Sequence, residues 1–145
     1  FMLNRLSLLG VAVVVAWSGA ASAQSFDMKG TWVGTSKSIV SGLPAHHPVT
    51  VSAKPAGDNR LTEVPFTTRI EGQDGNRVWG TNSSPAASLP IVGVISPDGK
   101  QLRLVVKGRG VVEGTIVDPD TIEILYTEDH NGVSVAATNT WKRQK

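Results

Sequence analysis

From residue 30 onward, Val, Ile, Leu and Thr alternate with polar residues in runs of five to ten, and after residue 28 no stretch repeats apolar residues at the i, i+3, i+4, i+7 spacing of a helix. The runs are separated by Asp74-Gly75, Asp98-Gly99, Gly108-Arg109-Gly110, Asp118-Pro119-Asp120 and Asn131-Gly132. Each separator supplies residues that tolerate the positive or fixed φ of a tight turn. The pattern predicts strands over 30–40, 62–73, 76–83, 89–96, 101–107, 111–117, 121–128 and 133–142, with a short ninth at 49–53. Eight antiparallel strands in sequence order describe an all-β, up-and-down antiparallel eight-stranded β-barrel, closed by pairing the last strand with the first. A β-sandwich is the alternative.

The turns also set register, because residues paired across a hairpin project from one face. A two-residue loop at Asp98-Gly99 pairs Ile95 with Leu102, Gly93 with Leu104 and Ile91 with Val106. A three-residue loop at 108–110 pairs Val106 with Val112 and Leu104 with Gly114, and one at 118–120 pairs Ile116 with Ile122 and Val112 with Tyr126. Through four strands one face stays apolar while Arg103, Lys107, Glu113 and Glu123 fall on the other. Asn131-Gly132 extends the inner face to Ala137, Asn139 and Trp141. Asp74-Gly75, read as a two-residue loop, pairs Ile70 with Trp79, Thr68 with Thr81 and Phe66 with Ser83, all inward. On the first strand Trp32, Gly34, Ser36 and Ser38 share the inner side.

The N-terminus changes the compartment rather than the fold. Arg5, an apolar run from Leu6 to Trp17 and small residues ending Ala21-Ser22-Ala23 have the layout of a secretory signal peptide, with cleavage expected after Ala23. The run is shorter than the roughly 20 residues a membrane-spanning helix needs. The expectation is therefore a periplasmic or secreted protein, with residues 1–23 removed and residues 24–145 forming one barrel domain. Loss of Arg5 lowers the formal net charge of +2 by one, which leaves no basic surface for nucleic acid and no membrane-binding charge run. With no cysteine, stability must come from burial and strand pairing.

Gly30-Thr31-Trp32 at the start of the first strand, with Trp141-Lys142-Arg143 on the last, resembles the Gly-x-Trp opening of the calycins, the superfamily of lipocalin, avidin and fatty-acid-binding barrels. The resemblance spans nearly all of residues 24–145. It implies that the Trp closes one end of the barrel and that a basic residue of the last strand, here Lys142 or Arg143, packs over it. The avidin type is the most similar, because the sequence ends within the final strand with no room for a lipocalin's C-terminal helix. The Asp-aromatic pair typical of avidins near the C-terminus has no counterpart here, so the resemblance implies a barrel rather than biotin. Self-association through barrel walls, known in avidin-like proteins, is a further implication.

Little in the sequence points to catalysis. His46 and His47 are adjacent and point in opposite directions on an extended chain, His130 sits in a turn, and solvated loop histidines are the expectation, with no metal and no cofactor. No Gly-x-Ser-x-Gly turn or phosphate loop is present. Asp74, Asp98, Asp118 and Asp120 are explained by their turns. Glu128 is the one acid that the register sends inward, and it is expected to be solvated at the rim.

The inner face therefore carries the functional expectation. Ser36, Ser38, Thr68, Trp79, Thr81, Tyr126, Asn139 and Trp141 are the candidate ligand-binding residues, since a concave apolar wall with a few convergent polar groups is the usual makeup of a small-molecule site. Gly34, Gly80, Gly93 and Gly114 are read as making room for a cavity, with relief of sheet curvature as the other explanation. The segment 41–59 is the candidate lid. Val92, Val94, Val105 and Leu125 form an apolar patch on the outer face, suited to a homo-oligomer or a protein partner. The reading is an exported, non-enzymatic binding protein for a small, partly apolar ligand. The alternative is a protein-interaction, inhibitor or structural envelope module with a filled core and an apolar outer-wall interface; an enzyme on the same barrel ranks third.

Overall fold

The computed structural model describes residues 25–42 and 52–145. It contains β1 (Gly30–Gly42), β2 (Ser52–Ala56), β3 (Asn59–Asp74), β4 (Arg77–Ser83), β5 (Ser88–Ile95), β6 (Gln101–Val106), β7 (Val111–Asp118), β8 (Thr121–His130) and β9 (Val133–Arg143). Neighbours run β1-β9-β8-β7-β6-β5-β4-β3, and β3 pairs back onto β1, so eight strands close an antiparallel barrel. The closing seam is long, from Gly30↔Ile70 to Val40↔Arg60. Closure satisfies the backbone groups that an open sheet would leave at two edges. β2 stands outside the ring and pairs with β3 from Ser52↔Glu63 to Ala56↔Asn59, along the stretch that β4, pairing only from Thr67, does not cover. The short ninth strand, expected at 49–53, is described over Ser52–Ala56, with 49–51 outside the described residues. Of the expected lid, 43–51 lie outside the described residues, His46 and His47 among them, and the rest belongs to β1, β2, the turn at 57–58 and the first residue of β3.

Three hairpins have the register their turns dictate. Ile95↔Leu102, Gly93↔Leu104 and Ile91↔Val106 face inward across β5 and β6. Val112↔Tyr126, Gly114↔Ile124 and Ile116↔Ile122 do so across β7 and β8, as do Tyr126↔Ala137, Ile124↔Asn139 and Ile122↔Trp141 across β8 and β9. The last turn is held by Asn131 and Gly132, both at positive φ, 51° and 75°, the geometry a two-residue type I′ turn requires.

Two hairpins differ. β6 and β7 pair as Leu104↔Val112 and Leu102↔Gly114, two residues out of the expected register, because the loop is centred on Gly108 rather than on Arg109. The loop begins at Val106, whose carbonyl accepts from Arg109 N–H and whose N–H donates to the Gly110 carbonyl, each at 3.0 Å. A shift of two residues keeps every side chain on its face.

The β3–β4 hairpin shifts by an odd number. Asp74↔Arg77 and Gly72↔Trp79 pair near the tip, the register slips between Ile70 and Gly72, and Ile70↔Gly80 and Thr68↔Asn82 follow. The extra residue, Glu71, is a bulge, and a one-residue bulge turns the rest of the strand over relative to its partner. Trp79 and Thr81 therefore leave the interior, and Val78 and Asn82 enter it. The Trp79 ring lies over Gly72, where a Cβ would meet its Cζ2 at 2.1 Å.

One end of the barrel is filled. Trp32, Met28, Ile70, Val78, Ile95, Leu102 and Ile122 are buried there with Phe26 packed against them. The inward glycines serve this packing rather than a cavity: a Cβ on Gly114 would meet Ile122, Ile124 and Leu102, and one on Gly93 would meet Leu104 and the Arg103 carbonyl. The segment before β1 plugs the end. The Gln73 side chain accepts from Met28 N–H at 2.8 Å and donates to the carbonyls of Phe26 and Gly75 at 2.8 and 2.9 Å. Trp32 Nε1 donates to the Met28 carbonyl at 2.9 Å. Arg143 packs over the Trp32 ring, while Lys142 turns outward to the Thr121 hydroxyl.

Candidate functional site: the cavity at the open end

Away from the Trp32 end the inner side chains no longer meet. A cavity of about 80 Å³ lies between Ser36, Ser38 and Val40 of β1, Thr62, Val64 and Phe66 of β3, Leu89, Val106 and Val112, and Ile124, Tyr126, Ala137, Asn139 and Trp141 of the last two strands. Alternation alone puts these residues here, since each strand offers every second side chain to the inside. Apolar groups make most of the wall. Ser38 and Thr62 bond to each other through their hydroxyls, and Asn82 Oδ1 accepts from Thr68 at 2.8 Å. Asn139 Oδ1, against Gly34, is buried with no hydrogen-bond partner among the described residues.

The mouth is built by the β6–β7 turn and the end of β8. Glu128 is not solvated at the rim as the register suggested: its side chain is 1% exposed, and Arg109, 30% exposed, brings Nη1 to 3.9 Å from its Oε1. The ring of Tyr126, two residues earlier on the same face, reaches up so that its hydroxyl donates to Glu128 Oε2 at 2.7 Å. The Tyr126 hydroxyl oxygen in turn accepts from Gly110 N–H at 3.2 Å. Burial first, and then the bond to Glu128 with the charge it carries, push the Tyr126 phenol well above its ordinary value of 10. Gly110 has to be glycine for this approach, as a Cβ there would meet Thr127 O at 2.0 Å and Glu128 Cβ at 2.9 Å.

The structure thus brings Ser36, Ser38, Tyr126, Asn139 and Trp141 together around one cavity. Thr68 is fully buried beneath it and positions Asn82. Trp79, 46% exposed, and Thr81, bonded to Glu71 at 3.2 Å, are on the outer wall and take no part; Ser83, bonded to Ser88, is outside with them. Sequence reasoning missed Arg109, Thr62 and Asn82. The last follows from the bulge, whose only trace in the sequence is Gly72. Arg109 reads as a turn residue in the sequence, although its position after Gly108 places it beside the inward end of β8.

Comparisons add little beyond the architecture. No protein-family model and no curated protein matches this sequence. Among solved structures, the chain is similar to the S-type phycobiliprotein lyase CPES from Guillardia theta, at 14% identity over 81% of this chain and 89% of that one, with a TM-score of 0.36. A likeness at that level carries no argument about ligand or activity.

Proposed function

We propose that this protein is an exported, periplasmic or secreted, non-enzymatic binding protein that holds a small, partly apolar ligand in the open half of a calycin-like barrel. The observation that carries this reading is the division of the interior: packed side chains fill the Trp32 end, while at the other end an apolar cavity meets a buried, anchored Glu128. A barrel selected only for stability gains more from an aliphatic side chain than from a buried carboxylate. Trp32 beneath Arg143 supports the calycin likeness, the avidin type included.

The test is native mass spectrometry of protein purified from its source. A mass excess over the bare chain that disappears on denaturation is expected, and Ala137→Leu, which fills the cavity, should abolish it. Bare chain masses in the wild-type protein count against the proposal.

The outer wall favours a second reading, self-association. By strand pairing Leu61, Ile39, Ala136, Thr127, Val111, Val105, Val92 and Trp79 form one row around the barrel. Val92, Val94, Val105 and Leu125 are 50–59% exposed. The adjoining row carries Glu63, Lys37, Glu113 and Arg103, which speaks for a wall facing water or protein rather than the apolar band, about 25 Å tall, of a membrane barrel. Integer multiples of the chain mass in the same spectrum are the expected signature of a homo-oligomer.

A further inference from the structure

We infer that the ligand of this cavity is a small organic cation, an alkylammonium whose charged end sits on Glu128 and whose apolar body lies over Ala137 toward Trp141; the inference rests on the cavity being the ligand site. Among the described residues, Glu128 and Arg109 bring opposite charges to the mouth, and they are not held alike. The Glu128 carboxylate is fixed, 1% exposed and bonded to Tyr126, which is itself fixed by Gly110 N–H. Arg109 belongs to a turn, is 30% exposed, and stands 3.9 Å from Glu128 Oε1, beyond hydrogen-bond reach. Its long side chain can move into water at small cost, whereas Glu128 cannot leave the interior.

The immobile charge is thus negative. A ligand ammonium can replace the guanidinium beside it and form the charge-assisted bond that Arg109 falls short of, with Arg109 returning to solvent. An anionic ligand would have to approach Arg109 while adding a second negative charge next to a buried carboxylate that cannot move away, a costly arrangement in a low-dielectric site. Size limits the body. The cavity, about 80 Å³, is about half of the ~150 Å³ that admits benzene, which suits a chain of about four carbons.

The experiment compares n-butylammonium, 1-butanol and butanoate on the purified protein at pH 8, read through the methyl NMR signals of Val112, Ile124 and Ala137. Saturable shifts with n-butylammonium and at least a tenfold weaker response to the other two are expected. Glu128→Gln should erase the preference. Arg109→Ala should tighten n-butylammonium several-fold, because the internal competitor is gone, and it keeps the proposal testable if the Gln variant fails to fold. An equal or stronger response to 1-butanol or butanoate, or loss of the ammonium response in Arg109→Ala, overturns the cation assignment and leaves the cavity as a ligand site. No response to any of the three overturns both.

Discussion

The guanidinium of Arg143 lies 4.3 Å above the indole of Trp32, and through this contact the last strand grips the first. The same group donates to the carbonyls of Lys29 at 2.7 Å, Asp27 at 2.8 Å and Pro119 at 3.0 Å, and its Nε stands 3.2 Å from Asp120. A planar fork that stacks and donates in several directions is what lysine lacks. Arg143→Ala should cost about 2–4 kcal/mol, combining a cation–π contact with charged hydrogen bonds, and Arg143→Lys should recover less than half of it. Urea unfolding of the three proteins checks this.

Tyr126 is the one tyrosine in the chain, so ultraviolet absorbance reports its ionisation directly. In the native protein its midpoint should lie well above the ordinary 10, while the unfolded chain titrates near 10. Above pH 10 the native state then binds more protons than the unfolded one, so stability that is fully present below pH 10 should fall as pH rises. Glu128→Gln should lower the native midpoint toward 10; an unchanged midpoint would contradict the role given to the carboxylate.

At the acid end Asp98 and Asp118 are both held below their ordinary value, and Asp98 gives the test. The Ser96 hydroxyl and then the Lys100 N–H hold its carboxyl below the ordinary 3.8. Its contribution is therefore present above pH 3.8 and lost as pH falls through the lower native value. Asp98→Asn should be less stable than the wild type at pH 6, and the difference should shrink by pH 2.5 in thermal melts.

Glycine positions separate two kinds of crowding. A Cβ on Gly80 would meet the Arg69 carbonyl at 1.9 Å, which is backbone, whereas one on Gly114 would meet the Cγ2 of Ile122 at 2.9 Å. Gly114→Ala should cost about 1–3 kcal/mol, the range for overpacking a core. Gly80→Ala should cost more, because a strand pair has to separate, and equilibrium unfolding of both variants reads the order.

The face of Trp79 is a further check. Trp79→Ala should cost under about 1 kcal/mol as a surface substitution, against about 3–5 kcal/mol for Trp32→Ala in the core. Acrylamide should quench a fluorescence component that Trp79→Phe removes and Trp141→Phe does not.

These cases show where sequence reading reaches its end. Asp98-Gly99, Asp118-Pro119-Asp120 and Asn131-Gly132 are local devices, so the hairpins they close could be registered from spacing alone, and with them the inward placement of Tyr126, Asn139 and Trp141. Glu71 is not such a device. Its bulge adjoins the place where the Trp79 ring lies over Gly72, a contact between two strands that neither strand announces. Arg109 facing Glu128 and Gln73 holding Phe26 are likewise long-range, and alternation has nothing to say about which side chain reaches across a barrel mouth or floor.

The plug at the Trp32 end also decides how the molecule can be handled. Ser25, the first described residue, and Lys145 both lie there, Gln144 N–H bonding to the Thr31 carbonyl beside the first strand. Whichever of the two carries a label or a tether, the attachment sits at the plugged end, and Arg109 and Glu128 lie at the other end of the barrel.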